Sequence, residues 1–172
     1  MSLVKSVAVI ILVVFLLNGI IQPLIETSNV LKEKIALGAA ILSSCRAARN
    51  NALMDDYMRD LNANIDEAAF KQYFAEAFCQ TLELDLISPA GGGDMVFSSS
   101  SGRFEPITVS LTLNAPTDLY FTEREVITAQ IALSTPYVFR TSLLKQAFSA
   151  MPPASHRFLV TETRVFEVQI IN

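Results

Sequence analysis

A single histidine, two cysteines and no tryptophan among 172 residues leave little material for metal or nucleophilic chemistry. A zinc site draws three or four ligands from His, Cys and carboxylates, and His156 is the lone imidazole. Glycine is scarce as well. The triplet Gly91–Gly93 has neither the Lys-Ser/Thr of a phosphate-binding loop behind it nor a helix opening from it. Charge is thin: 17% of residues are charged, and 13 Lys+Arg against 17 Asp+Glu give a formal net charge of −4. No broad basic field exists for a nucleic-acid backbone, so no nucleic-acid partner is expected. With 51% hydrophobic residues and a mean hydropathy of +0.39, the chain is too apolar for disorder and more apolar than a soluble domain requires.

What is present explains the excess. From Val7 to Leu17 every residue is apolar, and from Val7 to Ile25 there is no charged side chain. As a helix rising about 1.5 Å per residue the segment covers roughly 28 Å, close to the ~30 Å hydrocarbon core of a bilayer. Apolar residues surround every face, so no polar stripe is left for solvent. The segment reads as a transmembrane helix. A cleaved signal peptide would want small residues shortly after the apolar core, and Asn18–Glu26 offers no Ala-x-Ala-like pair. A uniformly apolar core helix is the other alternative. The lysines near the two ends do not set the orientation. The short tail before the span favours a cytoplasmic N-terminus, hence a single-pass protein with its C-terminal part outside.

Beyond Pro23, which is expected to bend the helix, a second apolar pattern begins. Leu31, Ile35, Gly38, Leu42 and Cys45 recur at helical spacing, widened by Val30, Leu37 and Ile41. With Gly19 in the span, the row Leu31, Ile35, Gly38 and Leu42 is the candidate helix-packing and assembly face. Small residues at Gly38–Ala40 and Ala47–Ala48 suit close approach, either of the protein's own fold or of other copies. Asn50-Asn51 weakens this helix, and Asp60–Asn64 reads as a turn. A following helix, capped by Asn64 with Glu67, carries Phe70, Phe74, Phe78 and Leu82 at four-residue steps, the spacing of a core face.

Cys45 and Cys79 flank the turn almost symmetrically. In an antiparallel hairpin they would meet, and a disulfide between them is nominally worth about 3–4 kcal/mol. The alternative is two buried thiols acting as small hydrophobes.

The C-terminal half reads as strands. Met95–Phe97 is a short run between Gly- and Ser-rich loops. Ile107, Val109, Leu111 and Leu113 alternate with Thr108, Ser110, Thr112 and Asn114; Ile127, Ala129, Ile131 and Leu133 repeat the pattern. Tyr137–Phe148 holds a helical turn or two, capped by Thr141 or Ser142. The stretch Phe158–Ile171 is rich in β-branched residues. An antiparallel sheet with one apolar face needs a cover, and the amphipathic helix supplies it. The expected class is α+β: a long N-terminal helix with a transmembrane part and an amphipathic stalk, a helical hairpin, and a small antiparallel sheet. The segments are a short cytoplasmic tail (1–6), the transmembrane helix (7–25), stalk and second helix (26–87), and a β head (88–172).

This order of parts, with Gly38-Ala39-Ala40 and Ala47-Ala48 on the helix, resembles a pilin-like protein. It is most similar to the TadE-like pseudopilins of tight-adherence pilus systems. The segment Ser44-Cys-Arg-Ala-Ala-Arg49 and the passage Ala129-Gln-Ile-Ala-Leu-Ser-Thr-Pro136 add to the likeness. The resemblance implies a structural or assembly subunit whose partners are membrane lipid and either copies of itself or other pilin-like subunits. Pilin-like precursors carry a Gly or Ala before the apolar stretch and a Glu at the fifth mature position. Here no Gly precedes Gly19 and no acid lies within Val7–Ile25, which suits an unprocessed, anchored subunit. The alternative function is a membrane-tethered extracellular ligand-binding or sensing domain.

No catalytic set emerges. His156 reads as a surface-loop residue, Asp55, Asp56 and Asp60 beside Arg59 as a solvated helix end, and Gly93-Asp94 supplies too few oxygens for calcium. No catalytic, cofactor-binding or metal residues, no cofactor and no enzyme activity are expected.

Overall fold

The computed structural model describes residues 3–53, 65–88, 93–117, 125–149 and 158–171. The expected Asp60–Asn64 turn, the Asp55–Asp60 cluster and His156 lie outside them. The chain is α+β: a long N-terminal helix and a five-stranded antiparallel sheet, with two further helices among the described residues.

The N-terminal helix comprises α1 (Leu3–Leu16), a wider π-helical turn (Leu17–Ile21) and α2 (Gln22–Leu53). The wide turn answers to Pro23. A proline ring crowds the carbonyl four residues earlier, here Gly19, and donates no hydrogen bond to it. The backbone opens around that carbonyl, and the Gln22 N–H reaches back to the Leu17 carbonyl. Polar groups on this stretch are satisfied along the helix. Asn18 Nδ2 donates to the Val14 carbonyl at 2.9 Å, and Gln22 Nε2 donates to Asn18 Oδ1 at 2.7 Å. Asn50-Asn51 does not end the helix, which runs on to Leu53.

Two compact units follow: Met1–Glu33 with Tyr137–Phe158, and Lys34–Pro136 with Leu159–Asn172. The second holds the sheet, in which neighbours in space are neighbours in sequence: β1 (Leu84–Leu86), β2 (Met95–Ser99), β3 (Ile107–Thr117), β4 (Glu125–Pro136) and β5 (Leu159–Ile171). Alternation sets the faces as the sequence predicts. Met95, Val109, Leu133 and Glu162 form one row across four strands; Leu111, Ile131 and Arg164 form the next. Ile107, Val109, Leu111, Ala129, Ile131 and Leu133 are buried. A register shift between Ile127 and Thr128 interrupts the β4–β5 ladder.

α3 (Glu67–Leu82) covers the β1–β2 side. Phe70, Phe74 and Phe78 are fully buried, Phe74 stacks on Phe78 at 5.6 Å, and Phe78 meets Phe97 at 5.0 Å. Its cap is Asp66, whose Oδ1 accepts the Ala68 N–H at 3.0 Å; the expected cap, Asn64, lies outside the described residues. The helix ends at Glu83, a non-glycine residue in the left-handed region (φ 55°). The α2 portion of this unit covers the β5 side. Lys34 Nζ lies 3.5 Å from Glu162, and the Arg49 guanidinium sits 5.5 Å from the Phe166 ring centre.

The expected apolar face of α2 divides between core and surface, and the expected disulfide is corrected. The buried row of α2 is Leu37, Ala40, Ile41, Ser44, Cys45 and Ala48, whereas Leu31 and Ile35 are 56% and 62% exposed and Leu42 is half-buried. Of the expected stripe, Leu37, Gly38, Ile41 and Cys45 are therefore covered, and Leu31 and Ile35 are not. Cys45 and Cys79 are both free. Cys45 lies in the core, while Cys79 lies beside a groove along α3.

Candidate functional site

The unit containing the apolar helix is organised around a buried carboxylate. Glu26 is the first charged residue after the apolar segment, one residue past Ile25, yet only 2% of it is exposed. Its partners come from the segment between β4 and β5. The Tyr137 hydroxyl donates to Oε2 at 2.6 Å. The Arg140 N–H donates to Oε1 at 2.6 Å, and the Thr141 N–H donates to the same oxygen. One turn earlier, Gln22 Oε1 accepts the Leu143 N–H at 3.0 Å.

These contacts have a simple origin. α4 (Ser142–Ser149) opens with the Lys145 N–H bonded to the Thr141 carbonyl, which leaves the amides ahead of it without partners in their own helix. A Thr or Ser side chain is the usual acceptor, and the sequence predicts one at Thr141 or Ser142. Here the acceptors are Gln22 and Glu26, supplied by another helix. An anion at a helix N-terminus also meets the positive end of the helix dipole.

The electrostatics follow. Desolvation by burial acts to raise the Glu26 pKa. The hydrogen bond from Tyr137, with those from Thr141 and Arg140, outweighs it and holds the carboxyl below its ordinary 4.5. Tyr137 is pushed up, by burial first and then by its bond to the Glu26 carboxylate, so it stays a protonated donor. Arg140 Nη2 lies 4.0 Å from Glu33 Oε2, a long pair on a guanidinium that is 60% exposed. Around this centre Phe139 stacks on Phe148 at 4.3 Å, and Tyr137 meets Phe139 edge-on at 5.5 Å. The Tyr137 N–H donates to the Phe158 carbonyl at 2.7 Å. A carboxylate holding three donors is a poor base; it acts as a latch that fixes Tyr137–Leu143 to the helix at the end of its apolar segment.

Elsewhere the chemistry is quiet. Burial pushes the Cys45 thiol up to about 12, and burial followed by the nearby Asp85 raises Cys79, so neither is an activated thiolate. Among the described residues no group of three or more His, Cys, Asp and Glu is placed to hold a metal.

The residues singled out as an assembly face separate. Gly38 is buried: a Cβ there would lie 3.3 Å from Arg164 Nη2 and 3.4 Å from Glu162 Oε1, so it admits the sheet's charged pair. Gly19 sits in the wide turn, where a Cβ would find only ordinary contact with Phe15. Leu31 and Ile35 face outward. Glu26, Gln22, Tyr137 and Arg140 were not among the expected site residues. The one signal for them was an acid directly after a long uncharged run.

The helix Leu3–Ala52 contains a window long and apolar enough to cross a membrane, and none of that window is buried within the chain. No family model, curated protein or solved structure matches this chain.

Proposed function

We propose that this chain is a single-pass, pilin-like structural or assembly subunit of the TadE-like kind. Val7–Ile25 anchors it in the cell membrane with the sheet-bearing part outside. It packs with copies of itself or with other pilin-like subunits in a tight-adherence-type pilus or a related secretion machine. The observation that carries the reading is the uncovered apolar surface of the long helix. It does not stop where the uncharged run stops. Leu24, Leu31 and Ile35 follow one another on one helical face and are 64%, 56% and 62% exposed. Water is a poor neighbour for such a row. At about 25 cal/mol per Å² of apolar area removed, a second helix laid along it is a favourable one.

The test is oxidative cross-linking of the full chain in lipid vesicles. With Cys79→Ser to remove the half-buried thiol, Ile35→Cys gives covalent dimers. Asn29→Cys, about a third of a turn away, gives few. Absence of dimers from either variant, at a protein density where neighbours meet, counts against assembly through this face.

The alternative, a membrane-tethered ligand-binding or sensing domain, is favoured by one feature: an open groove along α3 lined by Asp66, Lys71, Gln72, Cys79 and Leu86. It requires a monomer whose thermal stability rises with a small ligand.

A further inference from the structure

We propose that α4 is an interfacial helix, lying in the boundary between lipid headgroups and acyl chains beside the span, with Leu143, Leu144, Ala147 and Phe148 as its lipid side. The inference rests on the reading of Val7–Ile25 as a membrane anchor and adds a second membrane contact to it.

Three observations on the same unit lead there. The first is amphipathicity without burial. On a helix of 3.6 residues per turn, Leu143, Leu144, Ala147 and Phe148 share one half of the circumference, and Ser142, Lys145, Gln146 and Ser149 the other. A helix so divided ordinarily buries its apolar half in its own protein, yet no residue of α4 is buried, and Leu143 is 43% exposed. Leu144 and Phe148 are half-buried, the latter against Phe139, while Leu143 and Ala147 are exposed.

The second is depth. The Leu143 N–H is bonded to Gln22 Oε1, which fixes the start of α4 to a known level of the long helix. Gln22 lies three residues inside Ile25, the last residue of the uncharged run, or about 4.5 Å at 1.5 Å per residue. Amphipathic helices in the plane of a membrane bury their apolar face by ~5–10 Å at that boundary. The Glu26 latch holds Arg140 and Thr141 one turn further out, so the exposed Arg140 and Lys145 are within reach of phosphate headgroups.

The third is continuity. Leu143 shares an open groove with Ile10, Ile11, Val14, Phe15 and Gly19 of the apolar helix. The groove runs from α4 toward the middle of the uncharged segment, and its lining is almost wholly carbon. An acyl chain beside the span fits that chemistry; a charged or polar ligand does not. In the same unit Val138 is 51% and Phe158 44% exposed.

The chain has no tryptophan, so a single introduced one reports its own surroundings. Leu143→Trp, Gln146→Trp and Phe15→Trp are made separately in the full chain. Each is reconstituted in phosphatidylcholine vesicles containing lipids brominated at shallow or deep acyl positions. The expected result is quenching of Trp at 143 by the shallow bromines, roughly twofold stronger than at 146, as burial of ~5–10 Å on one face requires. Deep bromines quench Trp at 15. Ala147→Trp, at an exposed position on the same face, repeats the reading should the bulk at 143 disturb the fold. If Trp at 15 is quenched while Trp at 143 and 147 are not, the α4 proposal is overturned and the anchor stands. If emission at 143 is shielded from lipid but changes with protein density, a second copy covers this face and the proposal is again overturned. If none is quenched, the anchor reading fails and α4 loses its membrane with it.

Discussion

The two compact units are held together by opposite means. In the unit of Lys34–Pro136 and Leu159–Asn172, cohesion comes from carbon: three phenylalanines of α3 and the inward rows of β2, β3 and β4. Its charged pair, Glu162 and Arg164, sits at the β5 side under Lys34 and Gly38. In the unit of Met1–Glu33 and Tyr137–Phe158, almost all the apolar surface of the helix stays uncovered, and the buried Glu26 carboxylate gathers the loop. A unit with its greasy surface outward cannot rely on water to drive it together, so directional hydrogen bonds take that role. This is the arrangement expected of a segment whose solvent is not water.

The largest effect should come from the carbon-packed unit. Phe78→Ala removes a fully buried ring from contact with Phe74 and Phe97 and should cost about 3–5 kcal/mol, read from denaturant unfolding of the full chain in detergent. A cost below about 1 kcal/mol would mean the ladder is not the core of that unit.

Next comes the latch. Glu26→Ala leaves the Tyr137 hydroxyl and two backbone N–H groups without their acceptor, about 3 kcal/mol or roughly a hundredfold in local opening. Amide exchange at Arg140, Thr141 and Leu143 should accelerate by that factor, while the amides of β3 and β4 keep their rates. Uniform acceleration would erase the contrast between the units.

The same latch has a pH window with a definite sign. The folded Glu26 pKa is lowered, so its contribution is present above the unfolded value, near 4.5, and is lost as pH falls through the lower folded value. The folded Tyr137 pKa is raised, so its contribution is present below 10.0 and lost as pH rises through the higher folded value. Of the other charged groups nearby, Arg140 acts to lower the Tyr137 pKa and Glu33 acts to raise it. The Thr141 amide resonance should therefore hold its position from pH 5 to 10, as read against the values 4.5 and 10.0. A midpoint inside that window would contradict the latch.

Smaller effects test details of the second unit. Glu83→Gly relieves a left-handed backbone and should stabilise by up to about 1 kcal/mol. Ser44 Oγ is buried with no hydrogen-bond partner among the described residues, so Ser44→Ala should be neutral or stabilising by about 0.5 kcal/mol. Loss of stability at Ser44→Ala would reveal a partner for that hydroxyl.

What could be read from the residues follows the range of the forces involved. Alternation along 107–113 and 127–133 and the four-step phenylalanines of α3 are local patterns, and the strands and core face stand where the patterns put them. Strand β1 is three residues long and too short to leave a periodic trace. The stripe through Leu31 and Ile35 is legible as apolar, but the pattern leaves open whether it faces the chain's own fold or outward. Hydrophobicity alone does not distinguish a face covered by the chain's own sheet from one left for another helix. For Cys45 and Cys79 the spacing about a turn suits a disulfide and two free thiols alike, and both are free. The latch was the least legible, since Glu26 and Tyr137 are 111 residues apart and the caps of α4 belong to another helix.

Alkaline extraction of membranes from cells making the intact chain separates a helix held in lipid from one held at a surface. Proteins held by charge or by partners are released at high pH, and helices in lipid are not. The full-length protein should stay with the membrane pellet and enter solution only with detergent, where it runs as more than one copy. Release of the intact chain as a water-soluble monomer would overturn the membrane-anchor reading.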